Sequence, residues 1–415
     1  MSKKLTIGLV GFGCVGSGLY EVLNKSKLID ATIKRIVVKD KGKKRSIPSE
    51  YFSFDVNDIL NDDQINVVVE LINDSDVAFQ IVKSALEKGK DVVTANKKLI
   101  AEHLPELLES ANKNNVSLLY EGAVAGSIPI IRNLEEYYNN DSLSSLEGIV
   151  NGTTNYILTK SNDGVDYKTA LAEAQELGFA ELDPTLDVDG FDSKFKLAIL
   201  FKHTFGVDIS TDELLNLGIR NIHPRDVQFA LEKGYRIKLI SRAEKIGDKV
   251  FGFVAPHFVD SSHFAYGVNN EFNAVIVEGL FSDKQLFIGK GAGSFPTASA
   301  VLSDVSALKF DYKYEYRKSE QKGELKFDND FFVKVYVGAR FSELLNEIPF
   351  YYLEEVYQGQ DYSFQTGWIH FEEVLELNLQ SRRDLSFIVL PDGIRDSESL
   401  ALLTSAELSL SLEEV

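Results

Sequence analysis

The chain has 415 residues, a net charge of −19, 44% hydrophobic residues and 11% aromatic residues. That length holds two or three domains with real cores, and the acidic balance argues against nucleic acid or anionic membrane as a partner. A single cysteine, Cys14, excludes a disulfide framework or a thiolate metal site, and the start M-S-K-K-L-T carries no signal core. No span of about 20 apolar residues occurs, so a soluble cytoplasmic protein is expected.

The first predicted strand runs from Leu5 to Val10, followed by Gly11-Phe12-Gly13-Cys14-Val15-Gly16 and an amphipathic stretch from Ser17 to Asn24. Strand, glycine turn and helix in that order make the dinucleotide fingerprint. Gly11 permits the tight turn, Gly13 lets backbone approach a pyrophosphate, and Gly16 lets helix and strand pack closely. The diphosphate then rests on the helix start at Cys14 and Val15, where free N–H groups favour an anion. Cys14 itself reads as a small buried residue.

A second strand over Ile33 to Val38 ends in Lys39 and Asp40, and five of the seven residues from Lys39 to Arg45 are basic. Lys39, Lys43, Lys44 and Arg45 suit the extra phosphate of NADP, whereas Asp40 suits the ribose hydroxyls of NAD. The cluster favours NADP, Asp40 leaves NAD open, and a solvated basic loop is the alternative. Further strands follow at Val67 to Leu71, Asp91 to Thr94 and Ser117 to Tyr120, separated by helical patterns at Asp76 to Lys88 and Leu104 to Asn112. That alternation predicts a doubly wound parallel sheet in an α/β domain over residues 1–130.

From about residue 131 to 295 longer helices and strands rich in Phe and Val, such as Lys249 to Phe258 and Ala274 to Leu280, predict a second, α+β domain. Tyr312 to Asp330 is charged and reads as a linker. Phe331 to Val337, a helix-like Phe341 to Ile348 and Leu385 to Leu390 then form a small αβ module over 330–415.

Within the second domain, residues 181–196 gather Glu181, Asp183, Asp187, Asp189 and Asp192 with Lys194 and Lys196 around a Pro-Gly-punctuated loop that opens a helix. A solvated acidic loop is one reading. A calcium loop is a second, but it fails at both ends, because position one is Thr185 and position twelve is Lys196. The third is a pocket for a small amphoteric substrate, with carboxylates for an ammonium and a lysine for an oxygen that gains or loses a proton. Lys196 lies one helical turn beyond Asp192, so both project from one face.

Five ordered motifs carry a family resemblance: the glycine loop, T-A-N-K-K-L-I-A at 94–101, Y-E-G-A-V-A-G-S-I-P-I at 120–130, G-I-V-N-G-T-T-N-Y-I-L at 148–158 with the acidic loop, and G-K-G-A-G-S-F-P-T-A-S-A-V-L-S-D at 289–304. Together they resemble homoserine dehydrogenase, a family that reversibly reduces L-aspartate 4-semialdehyde to L-homoserine with NADPH or NADH in the aspartate-derived threonine, methionine and isoleucine pathway. The resemblance implies that Lys97 and Lys196 are the active-site lysines, with Asp192 orienting Lys196 and with Glu181 and Asp187 binding the substrate. It also implies cofactor contacts from Thr94, Asn96 and Lys97, and from a late loop with Gly289 and Gly291. Glu121 with the backbone of Val124, Gly126 and Ile128 matches the place where many members bind a sodium ion. The helix after Pro296 is expected to pack back on the first domain, adding about residues 296–315 to it.

Two motifs depart from the family pattern. Glu70 to Ser75 replaces a usual glycine pair, and Val337 to Phe341 lacks the acidic-Pro-Gly turn of the ACT domain that occupies this C-terminal place in longer members. The module is expected to be ACT-like and regulatory or interfacial, since every chemistry-bearing motif precedes about residue 310. A homodimer or higher homo-oligomer is expected, because the middle domain's strands would leave a Phe- and Val-rich face or edge to cover. Two rivals remain: an aldehyde-oxidising dehydrogenase, which would need a cysteine nucleophile outside the phosphate loop, and a non-catalytic nicotinamide-binding redox sensor, which would not need both lysines.

Overall fold

The computed structural model describes residues 3–26, 29–320 and 325–402. Its first sheet comprises β1 (Leu5–Val10), β2 (Ala31–Val37), β3 (Phe52–Ser53), β4 (Val67–Glu70), β5 (Asp91–Thr94) and β6 (Leu118–Leu119). They lie in the order β3-β2-β1-β4-β5-β6 with every pairing parallel. All residues of β4 and β5 are buried, as expected where helices cover both faces. Those helices are α1 (Cys14–Lys25), the short α2 (Asn57–Leu60), α3 (Ser75–Glu87) and α4 (Lys97–Asn114). Asp74 and Asn96 accept from the amides of Val77 and Leu99 and so cap α3 and α4. The Asn96 cap starts α4 about two turns before the sequence pattern does, which puts Lys97 at its first position. Strand order reverses between β1 and β4, and the crevice for a dinucleotide opens at that point.

After α5 (Ile130–Glu135), the second sheet is built from β7 (Leu143–Ile149), β8 (Leu215–Asn216), β9 (Arg236–Ile246), β10 (Lys249–Val259), β11 (Phe272–Gly279) and β12 (Asp283–Lys290). Between β7 and β9 run α6 (Gly152–Asn162), α7 (Tyr167–Glu176), α8 (Thr185–Val188), α9 (Phe191–Phe205) and α10 (Pro224–Glu232). Gly190 (φ 83°) and Gly206 (φ 75°) bound α9 in the left-handed conformation that glycine adopts without strain. This helix is buried along most of its length, lying against α4 and α5 on one side and β9 and β10 on the other. It is the element that carries the second domain's chemistry up to the first. Next, α11 (Ser294–Ala307) packs on α1, as expected, and a Cβ on Gly18 would lie 2.5 Å from Ser294 Oγ.

The remaining strands are β13 (Lys326–Phe327), β14 (Phe332–Ala339), β15 (Tyr352–Gln358), β16 (Ser363–His370) and β17 (Leu385–Arg395), with α12 (Phe371–Glu376) before β17. They do not make a separate sheet. The order β12-β11-β7-β9-β10-β17-β14-β16-β15 continues the second domain's sheet through one parallel join, His257 to Val389. Phe251 and Phe253 of β10 stack with Phe331 and Phe371, so the two parts share a core. Phe341 to Ile348 forms a 3-10 turn at Ser342–Glu347 rather than a helix. Residues 403–415 of the expected module lie outside the described residues.

The expected linker over 312–330 is instead a packed segment in its described parts. Tyr312, Tyr314 and Tyr316 alternate with Lys313 and Glu315 and join the first core, and Lys326–Phe327 pairs with β10. The alternation of tyrosine with charged residues is a period-two signal that net charge obscured.

Candidate active site

Asp192 sits in the first turn of α9 and Lys196 one turn later. Lys196 Nζ donates to Asp192 Oδ2 and to the Val150 carbonyl, each at 2.7 Å. From the other side of the crevice Lys97, at the start of α4, places Nζ 2.9 Å from Asp192 Oδ1. Asn151 caps α6 through the Thr154 amide and turns its Nδ2 to Asp187 Oδ1 (2.7 Å) and Asp192 Oδ2 (2.9 Å). One buried carboxylate thus holds a lysine from each domain, and an amide ties it to a second carboxylate.

The electrostatics separate the two lysines. Lys196 is buried, and desolvation lowers its pKa against the pull of Asp192. Lys97 is half-exposed, and the charge of Asp192 raises its pKa. Burial alone would raise Asp192, but the ammonium groups of Lys196 and Lys97 hold it below the carboxylate range. Asp187 moves up, through burial and the charge of Asp192.

Glu181 is exposed and its backbone carbonyl accepts from Gln175 Nε2. Its charge contributes to the rise of the Lys97 pKa but it bonds neither lysine. Asp189 is taken by Arg220 in a bidentate pair at 2.8 and 3.0 Å and by Arg383 of the C-terminal segment at 3.3 Å. The acidic loop is therefore not uniformly solvated: Asp187 and Asp192 face inward, Asp189 braces the loop, and Glu181 stands at the rim.

The glycine loop meets the requirements of its motif. A Cβ on Gly11 (φ 99°) would lie 2.6 Å from the Leu71 carbonyl and one on Gly16 2.4 Å from the Gly11 carbonyl, whereas a Cβ on Gly13 would meet nothing within 4 Å. The open approach at Gly13 and the first-turn amides of Cys14, Val15 and Gly16 fit a diphosphate. Cys14 is exposed, not buried, because it opens α1 at the crevice, and its carbonyl accepts from Ser294 Oγ at 2.8 Å. At the end of β2, Asp40 Oδ1 accepts the amides of Gly42 and Lys43 at 2.7 and 3.2 Å. One oxygen of that carboxylate is engaged by its own turn. Lys39, Lys43 and Lys44 are exposed and make no ion pair among the described residues, while Arg45 folds back to the carbonyls of Asp40 and Lys43 and over the Phe52 ring.

Thr94 ends β5 and Asn96 caps α4, both buried. Gly289 is paired with Asn273 inside β12, and only from Gly291 onward does the late segment leave the strand. Gly291 sits so close to the Asn273 amide and to Gly126 that no side chain fits there, and the Ser127 amide donates to the Lys290 carbonyl.

Glu121 is buried, its carboxylate accepting the Ile131 and Arg132 amides at 2.9 Å each, and burial pushes it up to about 8. Its own amide donates to Asp304. The chain then turns through Val124 (φ −107°, ψ −90°) and Gly126 (φ 58°). Among the described residues no hydrogen bond reaches the carbonyls of Val124 or Gly126, while that of Ile128 accepts from the Ile130 amide. Two free carbonyls fit a cation held by backbone oxygens, and no cluster of three or more acidic, His or Cys side chains of metal-binding kind occurs among the described residues.

Sequence reasoning missed three residues. Asn151 stood in a quoted motif, yet nothing in its spacing shows that a helix cap would also bridge two carboxylates. Glu70 ends a strand as a charge in an apolar run, a signal that was available. Asn273 is fully buried with neither side-chain polar atom bonded among the described residues, which only the fold reveals.

The comparisons agree with this geometry. A family description reading "Homoserine dehydrogenase, NAD binding domain" matches residues 11–121, and "Homoserine dehydrogenase" matches residues 129–306. The homoserine dehydrogenase of Bacillus subtilis is 35% identical over 403 residues, 94% of this chain and 91% of that one. The crystal structure of a homoserine dehydrogenase from Thiobacillus denitrificans superposes with a TM-score of 0.82 at 29% identity, covering 95% of this chain and 99% of that one. A hyperthermophilic archaeal homoserine dehydrogenase mutant in complex with NADPH covers 75% of this chain and 100% of its own, with a TM-score of 0.66 at 26% identity. Neither the sensor reading nor a cysteine-dependent dehydrogenase is supported. With paired lysines on one carboxylate beside a dinucleotide loop, and with relatives matched over most of its length, the chain belongs to the homoserine dehydrogenase family of NAD(P)-dependent oxidoreductases.

Proposed function

We propose that this chain reduces the aldehyde of L-aspartate 4-semialdehyde, and oxidises homoserine in reverse, between Lys97 and Lys196. The observation that supports it most is Asp192, which holds one lysine from each domain at 2.9 and 2.7 Å. A bound nicotinamide supplies or accepts the hydride. Lys196 has two of its three N–H bonds fixed by Asp192 and Val150, leaving the third for the oxygen that gains charge. Its lowered pKa suits it to give up that proton, so Lys196 is the acid in reduction and the base in oxidation. Lys97, with its raised pKa and freer donors, supplies fixed positive charge to the developing alkoxide. Glu181 and Asp187 receive the substrate ammonium.

NADPH is the preferred cofactor in this reading, since one oxygen of Asp40 is engaged by its own turn and Lys39, Lys43 and Lys44 are exposed with no ion pair among the described residues. Thr94 and Asn96 shape the floor of the cofactor crevice, and Gly289 and Gly291 its far wall. The carbonyls of Val124, Gly126 and Ile128 beside Glu121 would hold a sodium ion that steadies this junction. The C-terminal strands serve as an ACT-like regulatory or interfacial module. The exposed Ile288 of the edge strand β12, with Leu280 and Phe281 in the turn before it, suits the contact of a homodimer. We place the enzyme in the cytoplasm, in the threonine and methionine branch of aspartate metabolism; no helix among the described residues is long and apolar enough to cross a membrane.

Initial rates with aspartate semialdehyde and NADPH or NADH test the assignment. Turnover with both, faster at low NADPH, is the expected result; a folded protein that binds NADPH and reduces no aldehyde would overturn it.

A further inference from the structure

Glu70 is a carboxylate with no exposure to solvent, and no lysine, arginine or histidine pairs with it among the described residues. Such a group is expensive to keep, so its bonds call for an explanation. Its Oε2 accepts from Thr94 Oγ1 at 2.5 Å and its Oε1 from the Ile72 amide at 2.6 Å. Thr94 Oγ1 in turn accepts the Asn96 amide at 3.0 Å, and Asn96 Nδ2 donates to the Ile72 carbonyl at 3.1 Å. These four bonds close a ring through Glu70, Ile72, Asn96 and Thr94. The remaining side-chain atom of Asn96, Oδ1, accepts the Leu99 amide and fixes the first turn of α4. Lys97 is the first residue of that turn, directly beside the ring.

The ring lies at the ends of β4 and β5, next to the point where strand order reverses. Every side chain in it directs at least one bond into the ring, and Asn96 spends both its oxygen and one N–H of its amide nitrogen on backbone partners. Lys97 needs such a foundation, because its ammonium must reach across the crevice to Asp192 on a flexible, half-exposed stem. A helix start that rocks by a fraction of an ångström moves the end of that stem by more.

We infer that Glu70 is a positioning residue for the reaction: through Thr94 and Ile72 it locks the Asn96 cap and so fixes where Lys97 holds its charge. The inference rests on Lys97 acting at the reacting oxygen, and the experiment separates the two. Single-turnover hydride transfer from NADPH to aspartate semialdehyde is measured for Glu70→Leu, Thr94→Val and Lys97→Ala, and for Glu70→Leu and Thr94→Val each combined with Lys97→Ala. Glu70→Leu and Thr94→Val should each slow transfer by about tenfold or more, with the NADPH Kd within about twofold, and should slow it by less than about twofold once Lys97 is already Ala. Glu70→Gln and Thr94→Ser, which can keep the ring closed, should stay within about threefold of the parent. Thr94→Val leaves Glu70 in place and decides the matter where Glu70→Leu does not fold. Transfer at the parent rate in Thr94→Val, a loss that lies wholly in NADPH affinity, or a loss that multiplies in full on the Lys97→Ala background overturns the inference while leaving Lys97 its role. Lys97→Ala at the parent rate overturns the role of Lys97 and this inference with it.

Discussion

The two lysines of the site occupy opposite kinds of seat. Lys97 starts a helix at the mouth of the crevice, is half-exposed, and among the described residues makes a single side-chain bond, to Asp192. Lys196 lies one turn inside a buried helix, has 8% exposure, and is anchored twice, to Asp192 and to the Val150 carbonyl. The same carboxylate therefore raises one pKa and only partly offsets the desolvation of the other. A pair of like residues on one carboxylate can in this way divide charge stabilisation from proton transfer, and the division comes from burial rather than from residue type.

The largest effects should come from breaking the pair. Alanine at Lys196 or at Lys97 is expected to lower kcat by roughly 10² to 10⁴, the range of a lost general acid or electrostatic donor. Arginine then sharpens the contrast, because it keeps charge but does not release a proton. Lys97→Arg should retain substantial turnover with cofactor still bound, and Lys196→Arg should not. Equal losses in the two Arg variants would abolish the division of labour, and two near-normal Ala variants would remove the mechanism.

Asp192→Asn tests the shared carboxylate and should cost about tenfold to a hundredfold in kcat, since it leaves two ammonium groups facing each other without the charge that lies between them. It also has a signed pH consequence. Asp192 raises the pKa of both lysines by favouring their charged forms, so its removal lowers both. Reduction needs the ammonium form, and the loss of activity with rising pH should therefore begin at a lower pH in the variant. A limb that stays in place would mean that neither lysine controls it.

The sequence made the first half of this site readable and the second half only partly so. Gly11, Gly13 and Gly16 answer to local geometry, and the parallel sheet follows from apolar runs such as Val67 to Val69, where helices cover both faces. Asp192 and Lys196 are four apart on one helix, so their contact is a property of spacing. What joins them to Lys97 and Asn151 depends on long-range packing of α9 against α4, for which no local signal exists. The C-terminal strands illustrate the same limit. Their alternation marks strands, but that β17 would continue the sheet of β10 rather than begin a new one depends on a single parallel join. The tyrosines at 312, 314 and 316 were legible and were outweighed by the charges between them.

A smaller effect is expected at the far end of the Lys97 domain. Changing Lys43, Lys44 and Arg45 together to Ala should raise the KM for NADPH by roughly tenfold and that for NADH by less than about twofold, without moving kcat. Added salt should shrink the difference, because these side chains are mostly exposed and screened. An equal response of both cofactors would leave the cluster as a solvated loop and shift the adenosine contact elsewhere.

The smallest effect concerns the support of the Lys196 side by the C-terminal strands. Asp189, three residues before Asp192, is gripped by Arg220 from within its own domain and touched by Arg383 from the segment before β17. The Arg220 pair is bidentate and half-buried, whereas Arg383 is 54% exposed and makes one bond at 3.3 Å. An exposed pair of the second kind is worth about 0 to 1 kcal/mol, so Arg383→Ala should change the KM for aspartate semialdehyde by no more than about threefold to fivefold. Arg220→Ala should have the greater effect, since it frees the loop that carries Asp187 as well as the carboxylate of Asp189. Neither change should touch the KM for NADPH, because no bond of this cluster crosses to the Lys97 side. If Arg383→Ala proved the more damaging of the two, the C-terminal strands would be setting the loop rather than leaning on it, and the Lys196 seat would have to be regarded as built jointly by both parts of the long sheet.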